Sequence, residues 1–272
     1  VIIIDAKLWP RPRWDIDFWL NEILVDTPAE ARGQFLYRIK VAAEREGFVG
    51  FIITGAFGSG KSTFAIKLGR AVYGSYDVVL RHCIFFKWED LRSALTTAAE
   101  NGFRYPYVVW DDAGVWAGRY LYRTGPRRAE EISAIVQLIR TQVACIVITS
   151  PSLLDLGAFL RERAGFNHII LTRLPDRLAK EYGRRPYLSH LVMGAFKEKL
   201  FRVEKEEAGE AVVDTSLPED VYRRYALLRR KYILELQASM KENVENVKGK
   251  RKKYNPSITS IGDERGNVVG NG

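Results

Sequence analysis

Gly55-Ala-Phe-Gly-Ser-Gly-Lys61-Ser62-Thr63 decides the reading of this chain. An apolar run, Phe48 to Thr54, leads into it, and a stretch with helical spacing, Lys61 to Val72, leads out. Gly55 to Ser62 fit G-x-x-x-x-G-K-S/T, and a strand before and a helix after are the context that pattern needs. Glycines let successive backbone N–H groups point into one concavity, and the helix behind adds the positive end of its dipole. Such a loop holds phosphate groups. Gly55, Ala56, Phe57, Gly58, Ser59, Gly60, Lys61, Ser62 and Thr63 are therefore the expected nucleotide-binding residues. Lys61 is expected to reach the β- and γ-phosphates, and the Ser62 hydroxyl to take a Mg²⁺ coordination site.

A phosphate-bound Mg²⁺ needs a carboxylate at the end of a neighbouring buried strand. Tyr107-Val-Val-Trp110 followed by Asp111-Asp112 supplies one. Asp111 is expected to hold the ion through water, and Asp112 to polarise the attacking water. Two strand-end carboxylates that merely cap the next turn are the competing reading. The next buried strand ends Ile148-Thr149-Ser150. If it lies between the two motif strands, Thr149, or failing it Ser150, sits beside the γ-phosphate. An Asn-Lys-x-Asp guanine-reading motif is absent from the sequence, which favours ATP over GTP.

Outward from these motifs the chain alternates strand and helix. Apolar positions recur at helical spacing in Ala31–Glu46, Glu89–Ala99 and Glu130–Arg140. Apolar runs in Val78–Phe86, Tyr107–Trp110, Ala144–Thr149 and His168–Thr172 read as strands. This pattern predicts an α/β fold with a central, mostly parallel sheet sandwiched by helices, plus a smaller C-terminal α/β or helical appendage. The expected organisation is an N-terminal arm (1–30), an ATPase core (31–176), a C-terminal hairpin and basic helix (177–240), and a disordered basic tail (241–272). The arm carries Trp9, Trp14 and Trp19, which pack either on the chain's own core or on a neighbouring subunit. Leu188–Val192 and Leu200–Val203 predict a short hairpin, and Pro218 opens a helix to about Ser239. The tail run Lys248-Gly-Lys-Arg-Lys-Lys253 reads as disordered.

With 47% apolar residues in 272, the chain can bury a substantial core. Lys and Arg outnumber Asp and Glu 42 to 33, for a net charge of +9. A basic surface attracts nucleic acid or anionic lipid. Cys83 and Cys145 suggest neither a disulfide framework nor a metal cluster. The longest apolar runs are too short to span a bilayer, and Val1 to Ile4 is too short for a signal peptide. A cytoplasmic protein with no membrane partner is expected.

Four segments resemble the AAA+ clade of replication initiators and helicase loaders, which includes the DnaA-, DnaC- and IstB-type ATPases. They are Gly55–Thr63, Ile84-Phe-Phe-Lys-Trp-Glu-Asp-Leu-Arg-Ser-Ala-Leu95, Val108-Val-Trp-Asp-Asp112 and Ile146-Val-Ile-Thr-Ser150. The resemblance runs from about Phe48 to Leu174. It implies an ASCE-type P-loop core, ATP and Mg²⁺ as cofactors, and a catalytic set of Lys61, Asp112, Thr149 and an arginine finger. Leu160-Arg-Glu-Arg-Ala-Gly165 is similar to the clade's finger box, which makes Arg163 the finger and Arg161 the alternative. A finger acts on a neighbour's nucleotide, so the resemblance implies a homo-oligomer, a ring or a helical filament. It also implies a helicase or another replication or recombination protein as partner, and a virus, plasmid or mobile element as source. The clade's lid and helix-turn-helix domain have no counterpart here; Arg184, Arg223 and Arg230 are all open as the lid arginine.

Gly118-Arg-Tyr-Leu-Tyr-Arg-Thr-Gly-Pro-Arg-Arg128 interleaves Arg119, Arg123, Arg127 and Arg128 with Tyr120 and Tyr122. That mixture suits phosphate contacts with base stacking, or it is a solvated loop. The stretch Tyr222-Arg-Arg-Tyr225 to Arg229-Arg-Lys-Tyr232 and the Lys248–Lys253 run are the other nucleic-acid candidates. Three functions compete: a DNA-binding AAA+ ATPase for replication initiation, helicase loading or transposition, a DNA-translocating motor for packaging or conjugation, and a small-molecule or nucleotide kinase.

Overall fold

In a computed structural model, residues 11–27, 34–119, 125–161, 166–182, 187–199 and 202–253 are described. The chain divides at Leu228 into two compact units, the second opening at Arg229.

The first unit is built on an eight-stranded mixed sheet in the order β1-β8-β7-β6-β2-β5-β4-β3. The strands are β1 (Leu24–Asp26), β2 (Val49–Thr54), β3 (Ile84–Phe85), β4 (Val108–Trp110), β5 (Cys145–Thr149), β6 (Phe166–Arg173), β7 (Leu188–Lys199) and β8 (Arg202–Asp214). Strands β2 to β6 run parallel; β7, β8 and β1 are added antiparallel. The main helices are α1 (Gln34–Glu44), α2 (Lys61–Tyr73), α3 (Trp88–Glu100), α4 (Pro126–Leu138), α5 (Asp176–Glu181) and α6 (Glu219–Lys253).

Every residue of β2, β4 and β5 is buried, as a parallel sheet covered on both faces requires. Alternation along β2 divides the core. Phe51 meets Phe35 of α1, ring centroids 5.2 Å apart, while Phe35 also meets Phe64 of α2. Ile52 points the other way and joins Trp88, Leu91 and Leu95 of α3 and Ile132 and Val136 of α4. At the amino ends of the strands, Arg104 donates to the carbonyls of Ala42, Gly47, Arg140 and Val143. Cys83 and Cys145 are free and buried; burial pushes the Cys83 thiol up to about 12.

The parallel α/β core agrees with the sequence reading, and three expectations are corrected. Val78–Phe86 is strand only at Ile84–Phe85, because Val79–Cys83 winds into a π-helical turn that buries Val79, Leu80 and Cys83. The hairpin is long, Leu188–Lys199 with Arg202–Asp214, and β7 is hydrogen-bonded to β6 from Ser189 to Ala195. It extends the core sheet rather than forming an appendage. Helix α6 continues past Ser239 to Lys253, so the basic run at 248–253 is helical. In the N-terminal segment Trp19 packs within the chain, against Phe35 and Phe64. Trp9 lies outside the described residues. No helix of the described residues is long and apolar enough to cross a membrane.

Candidate functional site

The site gathers at the carboxyl ends of β2, β5 and β4, which are neighbours in that order. In open α/β sheets this edge is where ligands bind. The loop from Gly55 to Gly60 leaves β2 and turns into α2, whose N-cap is Gly60 in the left-handed region, φ 84°. A side chain at Gly60 would also collide with Thr215, its Cβ 2.4 Å from Thr215 Oγ1. The loop rests on the antiparallel half of the sheet. Ser189 on β7 donates to the Ser59 carbonyl at 2.9 Å, and Lys67 of α2 lies 3.7 Å from Asp214 at the end of β8.

Lys61 folds back over the loop, its Nζ donating to the carbonyls of Gly55 at 2.7 Å and Ala56 at 2.9 Å. Ser59 Oγ is buried without a hydrogen-bond partner. Thr63 Oγ1 donates to the Gly60 carbonyl, fixing the first turn of α2. Phe57 stands out from the loop, 85% exposed, while Ala56 and Gly58 are exposed beside it.

Asp111 is the centre of the site and has no solvent exposure. Its Oδ1 accepts from Ser62 Oγ at 2.7 Å and from Thr149 Oγ1 at 2.6 Å. Its Oδ2 accepts from the Tyr225 hydroxyl at 2.8 Å. Burial pushes the Asp111 carboxyl above the ordinary aspartate range and the Asp112 charge adds to that. The O–H donors of Thr149, Ser62 and Tyr225 pull it back. Asp112 is half-buried in the left-handed region, φ 53°, a conformation Asp tolerates better than most residues. Its N–H donates to Thr149 Oγ1 at 2.9 Å. Thr149 thus ties the Asp111 carboxylate to the backbone of Asp112. Ser150 is buried and turned away, donating to the Ser152 carbonyl.

Ser62, Asp111, Asp112 and Thr149, separated by up to 87 positions in the chain, therefore meet in one place. The arginines do not all join them. Arg163, Tyr120, Tyr122, Arg123 and Arg184 lie outside the described residues. Arg161 ends a short helix, Ala158–Arg161, and is half-buried. Arg119 and Arg127 are exposed; Arg128 pairs with Glu89 at 2.5 Å and lies 5.1 Å over the Trp116 ring. Arg223 pairs with Glu219 and Arg224 with Asp77. Tyr225, read from sequence as part of a basic nucleic-acid face, points inward to Asp111 instead. Its place in the site was missed because only the fold brings α6 to β4.

No protein-family model matches the chain. Among curated proteins, the uncharacterised ORF286 of Acidianus two-tailed virus is 35% identical over 131 residues, 48% of this chain and 46% of that protein. The match thus spans less than half of that relative's length. The uncharacterised B-251 of Sulfolobus spindle-shape virus 1 is 26% identical over 234 residues, 82% of this chain and 90% of that protein. The chain is thus similar, along most of its length, to a protein carried by a virus.

Proposed function

We propose that this chain is a Mg²⁺-dependent P-loop ATPase of the AAA+ class that binds DNA and couples ATP binding and hydrolysis to assembly of its own copies there. The observation that carries the nucleotide reading is the hydrogen bond from Ser62 in the loop to the buried Asp111 of β4. A hydroxyl that opens a helix behind a glycine loop has no structural need of a buried carboxylate, whereas an ion held against phosphate needs both. The order β2-β5-β4 supports it further, because it puts Thr149 between the loop and the two aspartates. The basic surplus and the exposed Arg119 and Arg127 support DNA as the polyanionic partner.

The residues fit the cofactors. Among the described residues no group of three His, Cys, Asp or Glu side chains can hold a metal. Mg²⁺ would accordingly take the Ser62 hydroxyl directly and Asp111 through a bound water, and fill its shell with phosphate and further water, as this ion commonly does. When bound, it neutralises charge developing on the transferred phosphoryl group. The chain does the rest. The loop amides and the N-terminus of α2 receive the phosphates, and Ser59 Oγ is a buried hydroxyl still lacking a partner there. Lys61 exchanges two backbone carbonyls for phosphate oxygens. Asp112, aimed by its N–H bond to Thr149, orients the water.

The test is ATP binding and turnover by the purified chain, with and without DNA. Wild type should hydrolyse ATP and Lys61→Ala should not, while both show the same circular dichroism. Equal turnover in the two would remove the nucleotide reading. Turnover that ignores DNA, in a chain that binds neither single- nor double-stranded DNA at low salt, would return the kinase reading.

A further inference from the structure

We infer that Tyr225 is a latch on the ion site: its hydroxyl occupies the Asp111 oxygen that a magnesium-bound water needs, so docking of the first turns of α6 and loading of magnesium–nucleotide oppose one another. The inference rests on the nucleotide reading above.

A carboxylate offers about four lone-pair directions. At Asp111, Ser62 and Thr149 take two on Oδ1, and Tyr225 takes one on Oδ2. The one left over is closed off, because the Asp111 side chain has no solvent exposure. Ser62 and Thr149 belong to the site itself, on the loop helix and the strand beside it. Tyr225 comes from outside it, 114 residues further along the chain. It is therefore the donor that can leave without dismantling the site. A water bound to Mg²⁺ is a strong donor and competes for Oδ2 directly.

The seat of Tyr225 is in the first turns of α6, where the residue is buried. Its ring stacks on Phe86 just beyond β3, centroids 6.2 Å apart at 28°. Val221, one turn earlier, is buried. Arg224 is paired with Asp77, but both side chains are more than two-fifths exposed, where such pairs hold weakly. An O–H bond, a ring stack and an exposed ion pair are among the contacts that hold this turn, with the buried Val221 and Tyr225, and binding of the magnesium complex works against them. Coupling is reciprocal: whatever loosens the helix start tightens the ion complex, and the reverse.

The experiment uses the full chain, Mg²⁺ and a non-hydrolysable ATP analogue, with binding measured by calorimetry and amide exchange followed across 219–228. In wild type, exchange there should speed up on adding the magnesium complex but not on adding the analogue in excess chelator. Tyr225→Phe keeps the ring stack and removes the hydroxyl, leaving Oδ2 unsatisfied in the free protein. It should bind the magnesium complex about tenfold tighter, the worth of one hydrogen bond to a charged group. Its affinity for the metal-free analogue should not change. Arg224→Gln loosens the same turn without touching Asp111 and should shift affinity in the same direction by less. Circular dichroism verifies that both variants are folded. If Tyr225→Phe binds the magnesium complex equally or more weakly while wild type binds it normally, the latch is wrong and the nucleotide reading stands. Unchanged exchange in wild type loaded with the magnesium complex likewise overturns the latch alone. If wild type binds no nucleotide at all, both fall together.

Discussion

At the scale of single residues, Asp111 is a charge placed where charge is costly. Its carboxyl is raised from the ordinary 3.8, chiefly by burial, so the folded protein keeps a proton that the unfolded chain gives up. Stability therefore declines as pH climbs from 3.8 to the raised folded value, and the loss persists at neutral pH. Asp111→Asn carries no charge to bury. At pH 7 it should melt higher than wild type, by about 2–4 °C for each kcal/mol relieved in a chain of this size. The gain should vanish below about pH 4, where the wild-type carboxyl is protonated in both states. A variant that melts lower at pH 7 would mean that the three O–H bonds outweigh burial. The same substitution should abolish the magnesium dependence of nucleotide binding, a trade of function for stability common at such sites. Asp112→Asn should bind ATP normally and turn it over at least 100-fold more slowly, within the usual range for a lost general base. The meeting of Ser62 and Asp111 is legible in sequence because each stands at a fixed step from a local pattern, a glycine run or the end of an apolar strand. Tyr225 was not. Inside Tyr-Arg-Arg-Tyr it has the composition of a surface, and only burial of its ring against Phe86 gives it a different task.

Among the elements, those with a strong apolar signal match the sequence reading: α2, α3 with its apolar face, and β4 and β5 with their unbroken apolar runs begin and end within a few residues of expectation. The hairpin is where the sequence puts it but far longer than expected, for a physical reason. Residues 197–207 are mostly Lys and Glu, so little alternation marks them as strand, yet ladder hydrogen bonds to a formed neighbour are indifferent to that composition. Their length and their place beside β6 are what the sequence does not show, and with these the backing of the glycine loop. Two glycines test that support. Gly58→Ala meets nothing within 4 Å and suffers only from its φ of 79°. It should cost about 1–2 kcal/mol. Gly60→Ala carries the same dihedral penalty at φ 84° and a collision with Thr215, and should cost more. Adding Thr215→Gly to Gly60→Ala should recover the collision and leave the dihedral part. Urea melts of the three variants against Thr215→Gly alone measure both. Equal losses at positions 58 and 60 would mean that the segment after β8 does not support the loop. Ser189→Ala, which removes the bond to the Ser59 carbonyl, should cost about 1 kcal/mol by the same melts.

For the molecule as a whole, the basic surplus predicts DNA binding that falls linearly in log affinity with log salt. Arg127→Ala should lower that slope by about one unit. Arg128, already facing Glu89, should lower it by less, and a slope that neither variant moves would put the phosphate contacts elsewhere. If copies complete one another's sites, turnover per chain should fall on dilution. Mixing Lys61→Ala with Arg163→Ala should then restore part of it; flat turnover and no recovery would describe a protein that works alone. The sheet has another consequence, which concerns how the chain is made. The loop strand β2 takes its two neighbours from β5 and β6, about a hundred residues later, and β1 takes its own from β8, Leu24 opposite Val213. Contacts this distant in sequence slow folding, because long chain segments must close before any pairing rewards them. On the ribosome, six consecutive core residues of β2 emerge well ahead of everything that will cover them. A nascent chain halted at 176 would have both neighbours of β2 but a bare edge on β6, where a second such chain could pair. Synthesis through β8 is what covers the β6 edge of a sticky intermediate, so this protein should depend on holding chaperones while it is being translated.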